Sequence, residues 1–367
     1  MVFIKSRKRL YGNWARFFLI LHKPLGLFFR LSSYWDQKKS ISSPRKILLC
    51  CWASLGDVFL ATTFIDSILE KYPKATLGFL CGSQSIPLLE KNPKITHIHI
   101  APSWRQIGKR KIEHILYFFK LYFSYYPKIA KEIQKVGYDI SLELHPFFPD
   151  TAFLCRKAKI PHRIGFSSAG SEDSLTKSID LPPSVSYLPR LYPLLIEKQI
   201  STPKIVRQTP DGQYIILHMG SSDPKKIWQT NYWYLVADAL HRKGFSLVLT
   251  GSGIEDKKQI EQAKISAFAN NLCDKLSIEE LICSIAKASL LISVDSFPIH
   301  IAAQKGTPFI GLYLYNNFID LWLPDTTHAH FLIKKDCNGE KRDPRIEYLE
   351  EITPAHVLSA ASHLLRN

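Results

Sequence analysis

Four short segments of this 367-residue chain place chemically capable side chains directly after apolar runs. In KILLCCWASLGDVFLATTF (46–64), Asp57 stands where a strand pattern gives way to a helical one. A carboxylate there can cap the helix by accepting orphan backbone N–H groups, worth about 1 kcal/mol. Ionised at neutral pH, it can equally take a proton from an attacking hydroxyl. Placement alone favours the cap, and both roles draw on the same lone pairs. In HMGSSDPKKIW (218–228), Gly220, Ser221 and Ser222 precede Lys225 and Lys226. Small residues let backbone N–H groups approach an anion, hydroxyls add donors and a lysine adds compact charge, which together suit a diphosphate. The P-loop spacing is absent, and a surface turn with solvated lysines accounts for the pattern about as well.

The third segment, TGSGIED (250–256), sets glycines after a strand pattern and acids at a helix start. Glu255 can accept hydrogen bonds from ribose hydroxyls or a base, or simply cap the helix. The fourth, SVDSFPIHIAAQKGTPFIGLY (293–313), holds Asp295, Ser296 and His300 between two buried strand patterns. A lone histidine there is usually structural, but three polar groups within six residues are costly to bury unless paired or bound to something.

These segments must be held by an alternating scaffold. Apolar runs at 46–51, 76–81, 96–100, 138–144 and 162–166 read as strands, separated by helical periodicity over 59–72 and 112–136, the latter interrupted at Pro127. A Pro- and Ser-rich stretch from 180 to 204 marks a border. A second alternation follows, with strands at 214–219, 245–251, 270–273, 289–295 and 307–314. This predicts two doubly wound α/β domains with parallel sheets. The expected boundaries are a basic extension over 1–45, a first domain over 46–190, a linker over 191–212 and a second domain over 213–367. Ligands of such sheets bind outside the carboxyl ends of the strands, so two facing domains would share a cleft.

The net charge of +16 is local. Residues 1–46 carry eleven Lys or Arg against Asp36, and residues 105–135 carry eight against Glu113 and Glu132, which accounts for the whole excess. Both segments interleave aromatics with the cations, a composition suited to an anionic membrane surface. Their Leu, Ile and Phe content favours lipid over nucleic acid, while a solvated basic helix with ordinary core packing is the simpler account of part of the second. The apolar run 15–29 is broken by His22, Lys23 and Pro24, so no spanning segment or secretory signal is expected. Seven cysteines without a C-x-x-C pair read as reduced core thiols of a cytosolic protein, with no zinc site.

KILL followed by SLGDV, then H-x-G-S-S-x3-K-x-W, L-T-G-x3-E and V-D-S-x-P-x-H-x-A-A-x-x-G-T-P, resemble glycosyltransferase family nine, best known for ADP-heptose:lipopolysaccharide heptosyltransferases. The resemblance runs from about Lys46 to Tyr313. It implies the GT-B fold, two facing Rossmann-like domains, and inverting, metal-independent transfer from a nucleotide-sugar to a lipid-linked saccharide, with no cofactor. It further implies Asp57 as base, with Ser54 its loop neighbour among the donor contacts. Ser221, Ser222 and Lys226 become phosphate ligands, Glu255 the nucleoside ligand, and Asp295, Ser296 and His300 donor contacts. The expected location is cytoplasmic, peripheral on the inner face of the cytoplasmic membrane, through residues 1–46 and 105–135. Cys51 stands where the family has a basic residue, Phe297 replaces the glycine of D-S-G, Gln229 replaces a proline, and LELHPFFPD (142–150) departs from the usual stretch. Another donor sugar, or a catalytically silent nucleotide-sugar or membrane-surface binding protein, is the alternative. A nicotinamide oxidoreductase is disfavoured because no G-x-G-x-x-G follows a strand pattern.

Overall fold

The computed structural model describes residues 43–102, 120–147, 150–167, 174–182, 187–199, 212–315, 319–334 and 348–366. Most of the basic extension, and of the 105–135 segment its part up to residue 119, lies outside them. The chain divides into two compact units, Met1–Ser201 and Thr202–Asn367.

In the first unit, β1 (Lys46–Cys50), β2 (Thr76–Cys81), β3 (Ile95–Ile100), β4 (Ile140–Glu143), β5 (His162–Phe166) and β6 (Lys177–Ile179) form one parallel sheet ordered β3-β2-β1-β4-β5-β6. Strand β1 is buried from Ile47 to Cys50, as expected of a parallel sheet's central strand. The sheet carries α1 (Leu55–Thr62), α2 (Ile65–Lys71), a short α3 (Ile86–Leu89), α4 (Tyr126–Val136) and α5 (Asp150–Lys157). The sequence pattern suggests one continuous helix over 59–72, but it breaks at Thr63. Thr62 and Thr63 turn their hydroxyls back onto the carbonyls of Phe59 (2.7 Å) and Leu60 (2.6 Å), a local bond that competes with helix propagation. Before Pro127 the chain forms a π turn over Leu121–Tyr125, with the Tyr126 N–H reaching the Leu121 carbonyl. A widened turn accommodates a proline that lacks its own donor.

Helix α4 buries Tyr126, Ile129, Ala130 and Ile133 against this core and leaves Lys128, Lys131 and Lys135 exposed. In the described part of the second basic segment, that apolar stripe therefore packs inward rather than lying free for a bilayer. Among the described residues no helix is long and apolar enough to cross a membrane. Tyr187, Leu188, Leu191, Tyr192, Leu195 and Ile196, in the stretch read as border and linker, are buried within the first unit.

In the second unit, β7 (Tyr214–His218), β8 (Ser246–Thr250), β9 (Asn270–Asn271), β10 (Leu290–Val294), β11 (Phe309–Leu314) and β12 (Ala329–Lys334) form a parallel sheet ordered β12-β11-β10-β7-β8-β9. Its helices are α6 (Thr230–Arg242), α7 (Ile254–Ala263), α8 (Ile278–Lys287), α9 (Phe297–Lys305) and α10 (Pro354–Arg366). Both sheets reverse direction of winding beside their first strand, between β1 and β4 and between β7 and β10. Those reversals are the switch points at which open α/β sheets bind ligands.

Candidate functional site

The first switch point carries Asp57. Strand β1 ends at Cys50, and the chain turns through Trp52 and Ala53 to Ser54, which caps α1 in an extended conformation. The turn is tethered from outside by Gln84, whose amide donates to the Ala53 carbonyl at 3.1 Å. Asp57 accepts the Ser54 N–H at 3.1 Å and is only 8% exposed. The capping role is therefore realised, and a second role must coexist with it. Cys51 and Tyr192 sit beside this carboxylate, and burial foremost, then the Asp57 charge, holds the Cys51 thiol protonated. The Tyr192 hydroxyl, pushed up by burial, is shielded and lacks a hydrogen-bond partner among the described residues. Tyr192 lies 135 positions after Asp57 in a Pro-rich stretch, so sequence pattern gave no signal for it.

The second switch point gathers residues from two separate motifs. Trp228 is fully buried, packs edge-on against Trp233 at 5.1 Å between ring centroids, and donates its indole N–H to the Ile352 carbonyl at 2.7 Å. This anchor fixes the loop that ends in Lys226. The ammonium of Lys226 meets Asp295, just past β10, at 2.7 Å. Buried His300, on the first turns of α9, lies in the field of both. Burial, the largest influence, lowers its pKa to about 4, opposed by Asp295 and reinforced by Lys226. His300 is thus neutral at pH 7, and its Nδ1 has no partner among the described residues. Positive charge at this site comes from Lys226.

Ser221 is half-buried and accepts the Asp223 N–H at 3.2 Å, while Ser222 is exposed on the same turn. Ser296 caps α9 and turns its hydroxyl onto the Val294 carbonyl at 3.1 Å. Glu255, expected at the nucleoside, stands exposed on the first turn of α7. Its neighbour Asp256 is the acid that packs against the loops, accepting the Ser252 N–H at 2.8 Å. A Cβ built on Gly220 would lie 2.0 Å from Asp256 Oδ2, so only glycine allows this approach. Burial raises the Asp256 pKa, partly offset by the Ser252 bond. The paired glycines after β7 and β8 were the available signal for Asp256, one position from the acid the motif selected. Beside Gly220, the His218 ring bonds the Thr250 hydroxyl at 3.0 Å, and burial lowers its pKa to about 4. Gln229 holds φ −60°, a value proline would also adopt, so that departure needs no local change of backbone.

The arrangement supplies a shielded carboxylate in one unit. In the other it supplies a cation, a neutral imidazole and a small-residue turn, the inventory for holding a phosphorylated ligand and moving a proton. The model of glycosyltransferase family 9 (heptosyltransferase) matches residues 126–321. Lipopolysaccharide heptosyltransferase 3 of Escherichia coli is 28% identical over 349 residues, covering 84% of this chain and 96% of its own. The family 9 glycosyl transferase of Veillonella parvula superposes with a TM-score of 0.67 at 22% identity, over 90% of this chain and 99% of that one. E. coli ADP-heptose lps heptosyltransferase II gives 0.66 at 19% identity, over 87% and 98%. The two parallel α/β units are those of the GT-B fold class, and the chain, an enzyme, belongs to glycosyltransferase family 9.

Proposed function

We propose that this enzyme transfers heptose from ADP-heptose to a lipopolysaccharide core or related lipid-linked saccharide, with inversion and with no metal in the transfer step. The reading draws its donor and acceptor from the names of its relatives, and it is carried by one observation: the convergence of Lys226, Asp295 and His300 at the second switch point. The diphosphate of the donor binds the Ser221–Ser222 turn and Lys226. Its charge competes with Asp295 for the ammonium, freeing that carboxylate and the neutral His300 to hydrogen-bond the sugar. Glu255 receives the nucleoside, and Ser54 and Ser296 line the donor contacts. As the anomeric bond breaks, negative charge grows on the departing phosphate, and Lys226 with the loop N–H groups stabilises it more in the transition state than before. Asp57, its carboxylate oriented by the Ser54 N–H, takes the proton of the attacking hydroxyl.

The test is ADP release by the purified chain supplied with ADP-heptose and lipopolysaccharide extracted from a core-truncated strain. Acceptor-dependent ADP formation is expected. Binding of ADP-heptose without turnover, across acceptors, would overturn the proposal in favour of a silent binding module.

The lipid-linked acceptor also gives the basic segment 1–46, and the exposed cations of 105–135 rather than the inward-packed apolar stripe of α4, a role at the inner face of the cytoplasmic membrane. Deleting residues 1–40 should reduce flotation with anionic liposomes while ADP-heptose binding persists. Unchanged flotation would remove the extension from that role.

A further inference from the structure

Beneath the Asp57 turn, three side chains of metal-ligand type meet in the core of the first unit. Cys50 ends β1, Glu143 ends β4 directly opposite it in register, and Cys155 lies on α5. The two sulfurs are 3.5 Å apart, and thiols and carboxylate all lie within 4.8 Å of one another. All three residues are buried. Glu143 Oε2 accepts from the Thr151 hydroxyl, Oε1 is shielded from water, and the thiols of Cys50 and Cys155 lie near enough to hydrogen-bond the carboxyl group. Ser141, two residues earlier on the same face of β4, is fully buried with its hydroxyl against the Cys155 sulfur. Among the described residues neither Oε1 nor that hydroxyl has a hydrogen bond of normal geometry, so weak sulfur contacts are what satisfy these shielded atoms.

We propose that Cys50, Cys155 and Glu143 bind one divalent ion of the zinc type, with the Ser141 hydroxyl or a water at the fourth position. Two observations favour it. With metal–sulfur bonds of about 2.3 Å, the 3.5 Å separation corresponds to a sulfur–metal–sulfur angle of about 100°, near tetrahedral. Two thiols with one carboxylate also form a donor set that suits zinc rather than magnesium or calcium. Binding releases three protons, one from each ligand, if the cluster is fully protonated beforehand. The resulting three negative charges are balanced by the ion and by Arg163, a buried guanidinium in the field of Glu143. A Cys50–Cys155 disulfide would engage the sulfurs alone, leave Oε1 of Glu143 orphaned and require an oxidant. The ion engages all three groups. Such a clamp ties β1, β4 and α5 together one step before the chain turns toward Asp57. It takes no part in sugar transfer and stands whether or not the enzyme proves to use heptose.

The full chain, its affinity tag removed, is purified without chelator, incubated with excess zinc, desalted and assayed by elemental mass spectrometry. About one zinc per chain is expected, falling roughly tenfold in Cys155→Ser and in Glu143→Gln, and unchanged in Cys283→Ser, which alters an exposed thiol. Cobalt replacing zinc should show a thiolate charge-transfer band in the near ultraviolet that Cys50→Ser lacks. Should the cysteine variants misfold, Glu143→Gln, neutral and nearly isosteric, carries the test with circular dichroism as the control. Metal-free wild-type protein after zinc loading, undiminished zinc in folded Glu143→Gln or Cys155→Ser, or a Cys50–Cys155 disulfide in the non-reduced protein would each overturn the proposal.

Discussion

The two units share a strand order and a pair of switch points, yet they furnish them oppositely. At the first, the polar groups are acids and neutral hydrogen-bonding groups: Asp57 at the turn, Glu143 behind it, with the Cys51 thiol and the Tyr192 hydroxyl alongside. Burial pushes the Glu143 pKa up to about 7, against the opposing pull of Thr151, the thiols and Arg163. At the second, a lysine sits on an aspartate beside an imidazole. One backbone plan therefore carries a buried carboxylate at one edge and a lysine-aspartate pair with a neutral imidazole at the other, and the difference lies in a few side chains at strand ends. Fold alone says little about activity, and the contrast between these two edges says more.

The contrast breaks most severely if the carboxylate of the first edge is only a cap. Asparagine caps helices about as well as aspartate, so Asp57→Asn should leave the thermal midpoint nearly unchanged. If the side chain also accepts the acceptor proton, kcat should fall by about 10²-fold or more, read by ADP release. Retained turnover in the folded variant would leave Asp57 a structural residue of the α1 cap.

The second edge is tested by Lys226→Met, which keeps much of the stem and deletes the charge. A loss of about 10²-fold in kcat/KM is expected if the ammonium stabilises the departing phosphate. Lys226→Arg should recover part of it. An equal loss in both variants would point instead to disruption of the loop beside Trp228.

The smallest effect sharpens the comparison through stability. His218 and His300 are held neutral with pKa near 4, against about 6.5 in an unfolded chain. The unfolded state therefore binds more protons as pH falls below 6.5, and stability is lost progressively toward pH 4. Each imidazole should contribute roughly 2 kcal/mol of loss between pH 6.5 and 5. Replacing His300 with Gln should flatten the fall in thermal midpoint over that window. An unchanged slope would mean that His300 titrates in the folded protein as it does in the unfolded chain.

The strand plan was legible because parallel strands buried on both faces are nearly continuous apolar runs, as in KILLC, TLGFLC and LLISV. Strands β6 and β12 escaped because edge strands mix polar residues into short runs, as KSI and AHFLIK do. Histidines illustrate what spacing cannot convey. His99, in a strand motif, is a satisfied core residue, its ring nitrogens 2.7 Å from Glu132 and 2.8 Å from Tyr138. His300 is equally buried, yet among the described residues one ring nitrogen has no partner, and it stands beside an ion pair. The motifs named Lys226, Asp295 and His300, and only coordinates bring a loop from one part of the chain against a strand end about seventy residues on. Asp256 and Tyr192 were missed because their importance comes from what lies across from them.

Trp228 links the second edge to a distant part of the chain. Its indole is bonded to Ile352, in the short turn that leads into α10, so the loop that carries Lys226 is moored to a segment more than a hundred residues further along the chain. Mutating that turn would act like slackening a guy rope: Lys226, Asp295 and His300 would all remain, while their aim drifted.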